Sequence, residues 1–373
     1  MRAPRRSPAI LTLLVMAVVS PAGVIGPATR SSASTAVGFT AKPVVTGLAF
    51  PAAFTFAPNG RIFYGDKDNG EIHVFDAATH HDHVFFRFSN MPATSGTERG
   101  LLGIALNPHY PRKPFVYAYV TRRRSGGAID NEIVRLRNDG GHGINPRILF
   151  AYRLSSATNH NGGRIEFGPD GLLYAVVGEN GNSANSQDLK NPRGKVLRMT
   201  PSGRPAPGNP FGNRVFSFGL RNSFGFDFDP RTGHLWESEN GPECNDELNR
   251  IVKGGNFGWG PAENCGGTSP QDTNNSGSTP RILPKRWYTP TIAPTGLVFC
   301  HRCGLGSVSN GRLFFGAYKT GQVRRVKLTS NRLGVASQAV VYTHGSGIMS
   351  MEASPNGHVF FSDSQGIYRL VLG

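Results

Sequence analysis

The sequence predicts an all-β fold, a six-bladed β-propeller, and three observations carry that prediction. A turn rich in Pro, Gly, Asn or Asp, followed by a short apolar strand, recurs six times. The 48 glycines and 27 prolines are spread along the 373 residues, so they read as turns between many short strands. No stretch keeps a 3.6-residue apolar period for three turns, so long helices are not expected.

The six copies begin at Ala57-Pro-Asn-Gly, Asn107-Pro-His-Tyr-Pro, Gly168-Pro-Asp-Gly, Asp229-Pro-Arg-Thr-Gly, Asn310-Gly and Ser354-Pro-Asn-Gly. Most are followed by a glycine turn and a further strand, as at Gly70, Gly194, Gly321 and Gly366, which makes each copy a hairpin. They lie roughly 45 to 80 residues apart, the length of a four-stranded blade with variable connections. One blade cannot bury both its faces. Six stacked radially cover every sheet and leave a central channel whose mouth is built from loops. A sandwich also has many short strands, but it rarely repeats one hairpin unit six times.

The chain begins with Arg2, Arg5 and Arg6, continues with a largely apolar run from Ala9 to Val19, and then has small residues and prolines through Ala36. That is the layout of a secretory signal, and the run is too short to span a bilayer. Residues 1–36 are therefore expected to be a signal peptide and disordered N-terminus, and 37–373 a single propeller domain. The product is expected to be secreted, extracellular or cell-wall associated, without stable membrane insertion. Formal net charge is +16, or about +12 without the arginines of the first 36 residues. The basic residues are scattered and accompany no base-reading module, which argues against nucleic acid and for an anionic polymer or ligand. Arg122 to Arg124 read as a solvated loop.

Four cysteines, an even count in an exported chain, point to disulfides. Three pairings are possible. Proximity favours Cys244 with Cys265 and Cys300 with Cys303. Zinc is the competing reading, but only Cys300 and Cys303 have the close spacing of a ligand pair.

Nucleophile elbows, His-Glu-x-x-His and phosphate loops are absent, so chemistry has to come from loop residues. Three segments stand out. In the first, Asn159-His160-Asn161-Gly-Gly precedes a strand, and Gly178-Glu179 ends the next. On residue type alone His160 caps a turn; if both face the channel, Glu179 can fix its tautomer and leave the other nitrogen to take a proton. In the second, Arg221-Asn222 breaks an apolar stretch with a planar fork suited to anionic or carbonyl-bearing ligands. The third, from Trp236 to Asn249, concentrates carboxylates, amides and constrained backbone of the kind that suits calcium. His80, His81 and His83 read as a solvated turn.

Taken in order, these segments resemble the soluble pyrroloquinoline-quinone (PQQ)-dependent sugar dehydrogenases, the glucose/sorbosone dehydrogenase family. The resemblance runs from about Val44 to Leu372. It is carried by Glu98-Arg-Gly-Leu-Leu-Gly103, Asn159-His-Asn-Gly-Gly163, Gly168-Pro-Asp-Gly171, Gln187-Asp188, Arg221-Asn222, Gly241-Pro242, Asp246-Glu-Leu-Asn249, Gly254-Gly-Asn-Phe-Gly-Trp259 and Ile292-Ala-Pro294. It implies a six-bladed propeller holding the quinone and calcium over the channel mouth. It makes His160 the base that accepts the sugar hydroxyl proton and Glu179 its acidic partner. Arg221, Asn222, Lys319 and Thr291 become cofactor contacts, and the carbonyls of Gly241 and Pro242 become calcium ligands. Glu98, in place of an amide, and Asn159, in place of an aspartate, fall at the sugar. Where family members that hold the quinone firmly carry two arginines, this sequence reads Gly347-Ile-Met349-Ser. Two charge-assisted contacts are missing there, worth several kcal/mol by the usual magnitudes.

The leading expectation is a secreted quinoprotein that oxidises an aldose or related sugar and passes the electrons to an external acceptor. The alternative is a non-catalytic calcium-containing propeller that binds a cell-surface glycan or protein. A lactonase would instead need carboxylates and asparagines from several blades converging on the channel axis.

Overall fold

The computed structural model describes residues 38–261, 265 and 280–373; the signal expected in 1–36 lies outside them. The described residues form six four-stranded antiparallel sheets, arranged as the blades of a propeller. Among the described residues, regular helix is confined to Ala184–Gln187 and a 3-10 turn at Ser307–Ser309.

Five blades are continuous in sequence: 51–87, 101–153, 165–218, 223–288 and 294–343. The sixth joins the two ends of the chain. Ser350–Ala353, Val359–Ser362 and Gly366–Leu372 supply its inner strands, and Phe39–Thr46 pairs antiparallel with the last of these to complete the sheet. This closure leaves the ring without a gap.

Sequence pattern follows position in the blade. The second strands, such as Leu173–Val177, Leu235–Glu239 and Leu313–Ala317, are buried along their whole length because neighbouring blades cover both faces. Outer strands such as Val335–Thr343 are largely open to solvent. Six apolar clusters fill the gaps between neighbouring blades. Phe63, Ile72 and Phe85 of the first blade, for instance, pack on Leu101, Val116 and Val120 of the second. Each fully buried Phe or Leu there contributes about 1.5–3 kcal/mol.

All six repeat turns fall in one place, between the first and second strands of a blade. The bonds Gly60 N–H to Ala57 O (2.9 Å), Gly171 N–H to Gly168 O (2.9 Å) and Gly357 N–H to Ser354 O (2.7 Å) close three of them. In an up-and-down sheet those turns share one end of the propeller with the connections between third and fourth strands. The loops between second and third strands, and the links from one blade to the next, share the other end.

Both disulfides pair as proximity favours, Cys244 with Cys265 and Cys300 with Cys303. Two loop readings are corrected. Only His80 lies in a turn, whereas His81 and His83 belong to the edge strand His81–Arg87. Arg122 and Arg123 end the strand Phe115–Arg123, and Arg122 and Arg124 pair with Glu132 (3.3 and 3.1 Å) rather than standing in solvent.

Candidate active site

At the end opposite the repeat turns, the loops enclose a cavity of about 700 Å³. Glu98, Asn159, His160, Arg221, Asn222 and Thr291 reach it from the links between blades, and Gly241, Pro242 and Lys319 from loops after second strands. Nine of the ten candidate residues therefore line one cavity. The tenth, Glu179, stands behind His160.

His160 Nδ1 lies 2.6 Å from Glu179 Oε1, and both side chains are largely buried. Glu179 Oε2 accepts the Asn182 N–H at 2.7 Å, so the carboxylate is held at both oxygens. With Nδ1 engaged, Nε2 is the imidazole nitrogen left for the cavity that His160 lines. The backbone enforces this arrangement. His160 sits in the left-handed region at φ 55°, and a Cβ on Gly178 would lie 2.3 Å from the His160 carbonyl oxygen. Only glycine lets the end of the strand Leu173–Val177 approach the His160 link so closely.

Glu98 bridges three elements. Its carboxylate accepts the Asn222 Nδ2 amide at 3.2 Å and the Asn161 N–H at 3.2 Å, which ties the first inter-blade link to the next two. Asn222 Oδ1 is buried without a partner. Lys319 Nζ donates to Thr291 Oγ1 at 2.5 Å.

The acidic segment divides into two faces. Glu237, Glu239 and Glu247 turn into the interior around the Asn249 amide, and burial holds the carboxyls of Glu237 and Glu239 above the usual range. Asp246 lines the cavity and accepts N–H groups from Gly241 (2.9 Å), Ile292 (2.6 Å) and Ala293 (2.7 Å). Burial nonetheless holds its carboxyl above the ordinary range. The carbonyls of Asn240 and Gly241 converge on Arg221 Nη1, at 2.9 and 2.7 Å.

Sequence reasoning missed Lys67. Its buried ammonium pairs with Asp68 and donates to the carbonyls of Thr94, Thr97 and Arg99 at 3.2–3.3 Å, fixing the loop that carries Glu98. A signal existed, because Lys67 follows a second strand just as Glu179 and Lys319 do. Tyr318, beside Lys319, was missed in the same way.

On the innermost strands, Glu166 and Asp227 share a hydrogen bond, and Glu352 lies 3.9 Å from the buried guanidinium of Arg164. Burial pushes Asp227 up to about 7 and Glu352 up to about 8. Carboxylates from three blades do approach the axis, but they gather about an arginine. Among the described residues no three His, Cys, Asp or Glu side chains form a metal-holding group.

A family model described as glucose/sorbosone dehydrogenase matches residues 48–371. The chain belongs to the glucose/sorbosone dehydrogenase family. Among solved structures, the PQQ-bound form of aldose sugar dehydrogenase from Streptomyces coelicolor has a TM-score of 0.75 and 30% identity, covering 90% of this chain and 99% of that one. Aldose sugar dehydrogenase of Escherichia coli K12 is 26% identical over 273 residues, 70% of this chain and 73% of its own length. Quinoprotein glucose dehydrogenase B of Acinetobacter calcoaceticus is 26% identical over 250 residues, 59% of this chain and 52% of its own. Family membership and these relatives support a sugar dehydrogenase that uses PQQ.

Proposed function

We propose that this protein oxidises an aldose or related sugar, with His160 as the base that takes the anomeric hydroxyl proton while hydride leaves the anomeric carbon. The observation that carries the reading is the 2.6 Å bond from His160 Nδ1 to Glu179, which reserves Nε2 for the cavity. Glu179 sets the imidazole's orientation and stabilises the charge it gains on accepting the proton. Glu98 and Asn159 line the same cavity as His160 and would bind sugar hydroxyls.

The cavity suits an anionic planar cofactor. Arg221 and Lys319 supply positive charge, Thr291 a hydroxyl and Asn222 an amide, and these four would hold the quinone. The carbonyls of Gly241 and Pro242 would hold calcium; the Gly241 carbonyl, with that of its neighbour Asn240, already accepts from the cationic Arg221 guanidinium. When bound, PQQ supplies the hydride-accepting centre and calcium polarises it. Met349 lines the wall where the family's arginine pair would stand, so quinone affinity is expected to fall below that of relatives that keep the pair. We assign the first 36 residues as an export signal, which places turnover outside the cytoplasm with an external electron acceptor.

The test is to reconstitute purified protein with calcium and PQQ, confirm binding by absorbance, and follow dye reduction over a panel of aldoses. Turnover that collapses in His160→Ala while quinone binding persists supports the reading. No quinone binding at all overturns it, and saccharide binding without turnover points to the non-catalytic alternative.

A further inference from the structure

We propose that the end of the propeller opposite the cavity carries a docking surface for a phosphodiester-linked polymer of the cell exterior, built from arginines of the fourth and fifth blades. The proposal goes beyond the sugar-oxidising reading and takes from it only the assigned export, which brings the protein to such polymers.

The arginines gather on one repeat turn. Arg231 stands in the repeat turn of the fourth blade, Arg302 and Arg312 in the connection between the first two strands of the fifth, and Arg332 in the connection between its last two. Gly311 is their meeting point. A Cβ there would lie 2.7 Å from Arg231 Nη2, and the Gly311 carbonyl accepts from both Nη1 and Nη2 of Arg332 at 3.2 Å. Arg312 is the next residue, and the Arg302 N–H donates to Asn310 Oδ1 at 3.1 Å. Arg325, on the strand Gln322–Leu328, joins them by donating to Ser309 Oγ at 3.3 Å.

This charge is left unbalanced. In the segments that carry these residues, 229–233, 299–312 and 325–333, Asp229 is the only carboxylate. It is buried and taken by Arg332, whose Nη2 lies 2.7 Å from its Oδ1. Arg231, Arg302, Arg312 and Arg325 make no ion pair with a described carboxylate. Burial holds the Arg325 guanidinium below its ordinary range, and the charge of Arg312 pushes the same way. A patch of one sign attracts and concentrates the opposite one.

The side chains select the kind of polyanion. The arginine fork matches phosphate oxygens in bidentate fashion, and a phosphodiester chain presents one such group after another. Nucleic acid fits less well. No exposed aromatic ring lies in these segments for a base to stack on, since Phe299 is buried and the exposed apolar side chains are Val308 and Leu333. The patch also lies at the end away from the cavity, so a bound polymer leaves the loops around His160 uncovered.

The experiment is a fluorescence anisotropy titration of labelled poly(glycerol phosphate) with the purified protein, repeated across a series of salt concentrations, with no PQQ, calcium or sugar present. Wild type is compared with the triple variant Arg231→Gln, Arg302→Gln, Arg312→Gln. The control is Arg112→Gln, Lys113→Gln, Arg147→Gln, which removes equal charge from exposed side chains of the second blade. The first triple variant is expected to bind at least about tenfold more weakly at low salt, with the slope of log K against log salt reduced by about two units; the control should change less than about twofold. Circular dichroism and Tm confirm folding. If the triple variant misfolds, the double variant Arg231→Gln, Arg302→Gln decides by an expected loss of about fivefold, because neither of those side chains makes a hydrogen bond among the described residues. No binding by wild type, or equal losses in patch and control variants, overturns the proposal. Tighter binding to a single-stranded oligonucleotide of equal phosphate count overturns it too, in favour of nucleic acid. Because the assay contains no quinone, metal or sugar, its failure leaves the sugar-oxidising reading standing, and failure of that reading leaves the docking surface standing.

Discussion

Replacing Glu237 with glutamine should stabilise the protein, and more so as the pH rises. Glu237, Glu239 and Glu247 all direct carboxylate oxygens at the single Asn249 amide, at 3.3, 3.4 and 3.0 Å, and an amide has only two hydrogens to give. All three side chains are buried, Glu237 completely, and its Oε1 has no partner. Burial pushes the Glu237 carboxyl up to about 8 from an ordinary 4.5. A carboxyl whose folded pKa is raised contributes fully below its unfolded pKa, and the contribution is lost as pH rises from about 4.5 through about 8. At 1.36 kcal/mol per unit, the penalty at pH 7 approaches about 3 kcal/mol as an upper bound, because the charge is shared among three groups. Glutamine has the same shape, never ionises and adds a donor. Differential scanning calorimetry from pH 4.5 to 8.5 should show Glu237→Gln melting about 5 °C above wild type at pH 8, with the gap closing towards pH 5. A gap independent of pH, or a variant less stable than wild type at pH 8, would mean that Glu237 is ionised and compensated, and the reasoning would fail.

Gly178→Ala should cost about 1–3 kcal/mol, because the new Cβ meets the His160 carbonyl oxygen at 2.3 Å and must push the His160 loop aside; Tm and dye-reduction rate should fall together. Lys195→Met removes a fully buried ammonium that donates to Asn185 O (2.7 Å), Ser186 O (3.0 Å) and Arg193 O (2.6 Å). Leaving those carbonyls unsatisfied should cost about 2–4 kcal/mol by thermal melting. Because Asn185 Nδ2 also holds the Glu179 carbonyl at 2.8 Å, activity should fall as well. Glu179→Gln keeps the shape of the His160 contact but loses its charge, so kcat should drop about tenfold to a hundredfold with KM little changed. An equal rise in KM would instead place Glu179 in sugar binding.

The blades were legible because their mark is local. A Pro-Asn-Gly turn between first and second strands needs a fixed φ at proline and a positive φ at glycine, and neither depends on distant residues. The closure of the ring was not legible. Phe39–Thr46 pairs with Gly366–Leu372 from the opposite end of the chain, and no turn joins the two strands to mark them as partners in the sequence. The disulfides followed from spacing, whereas the two backbone carbonyls that accept from Arg221 had no residue type to announce them.

The acidic segment shows where composition misleads and alternation informs. Read as a list, Glu237, Glu239, Glu243, Asp246 and Glu247 look like one oxygen-rich ion loop. Read at period two, Leu235, Glu237 and Glu239 share one face of a buried strand, and Glu247 and Asn249 face them from the next, since Glu237 pairs with Asn249 and Glu239 with Glu247. Those carboxylates had to enter the gap between blades. What remained for the cavity was Asp246 and the bare carbonyls of the turn, groups that a count of acidic residues does not weigh. The same parity decides the cavity's membership. In an up-and-down blade the residue after the second strand and the residue before the next blade's first strand meet at one end. Lys67 therefore belonged with Glu179 and Lys319, and Glu98 with His160 and Arg221, once the strands were counted.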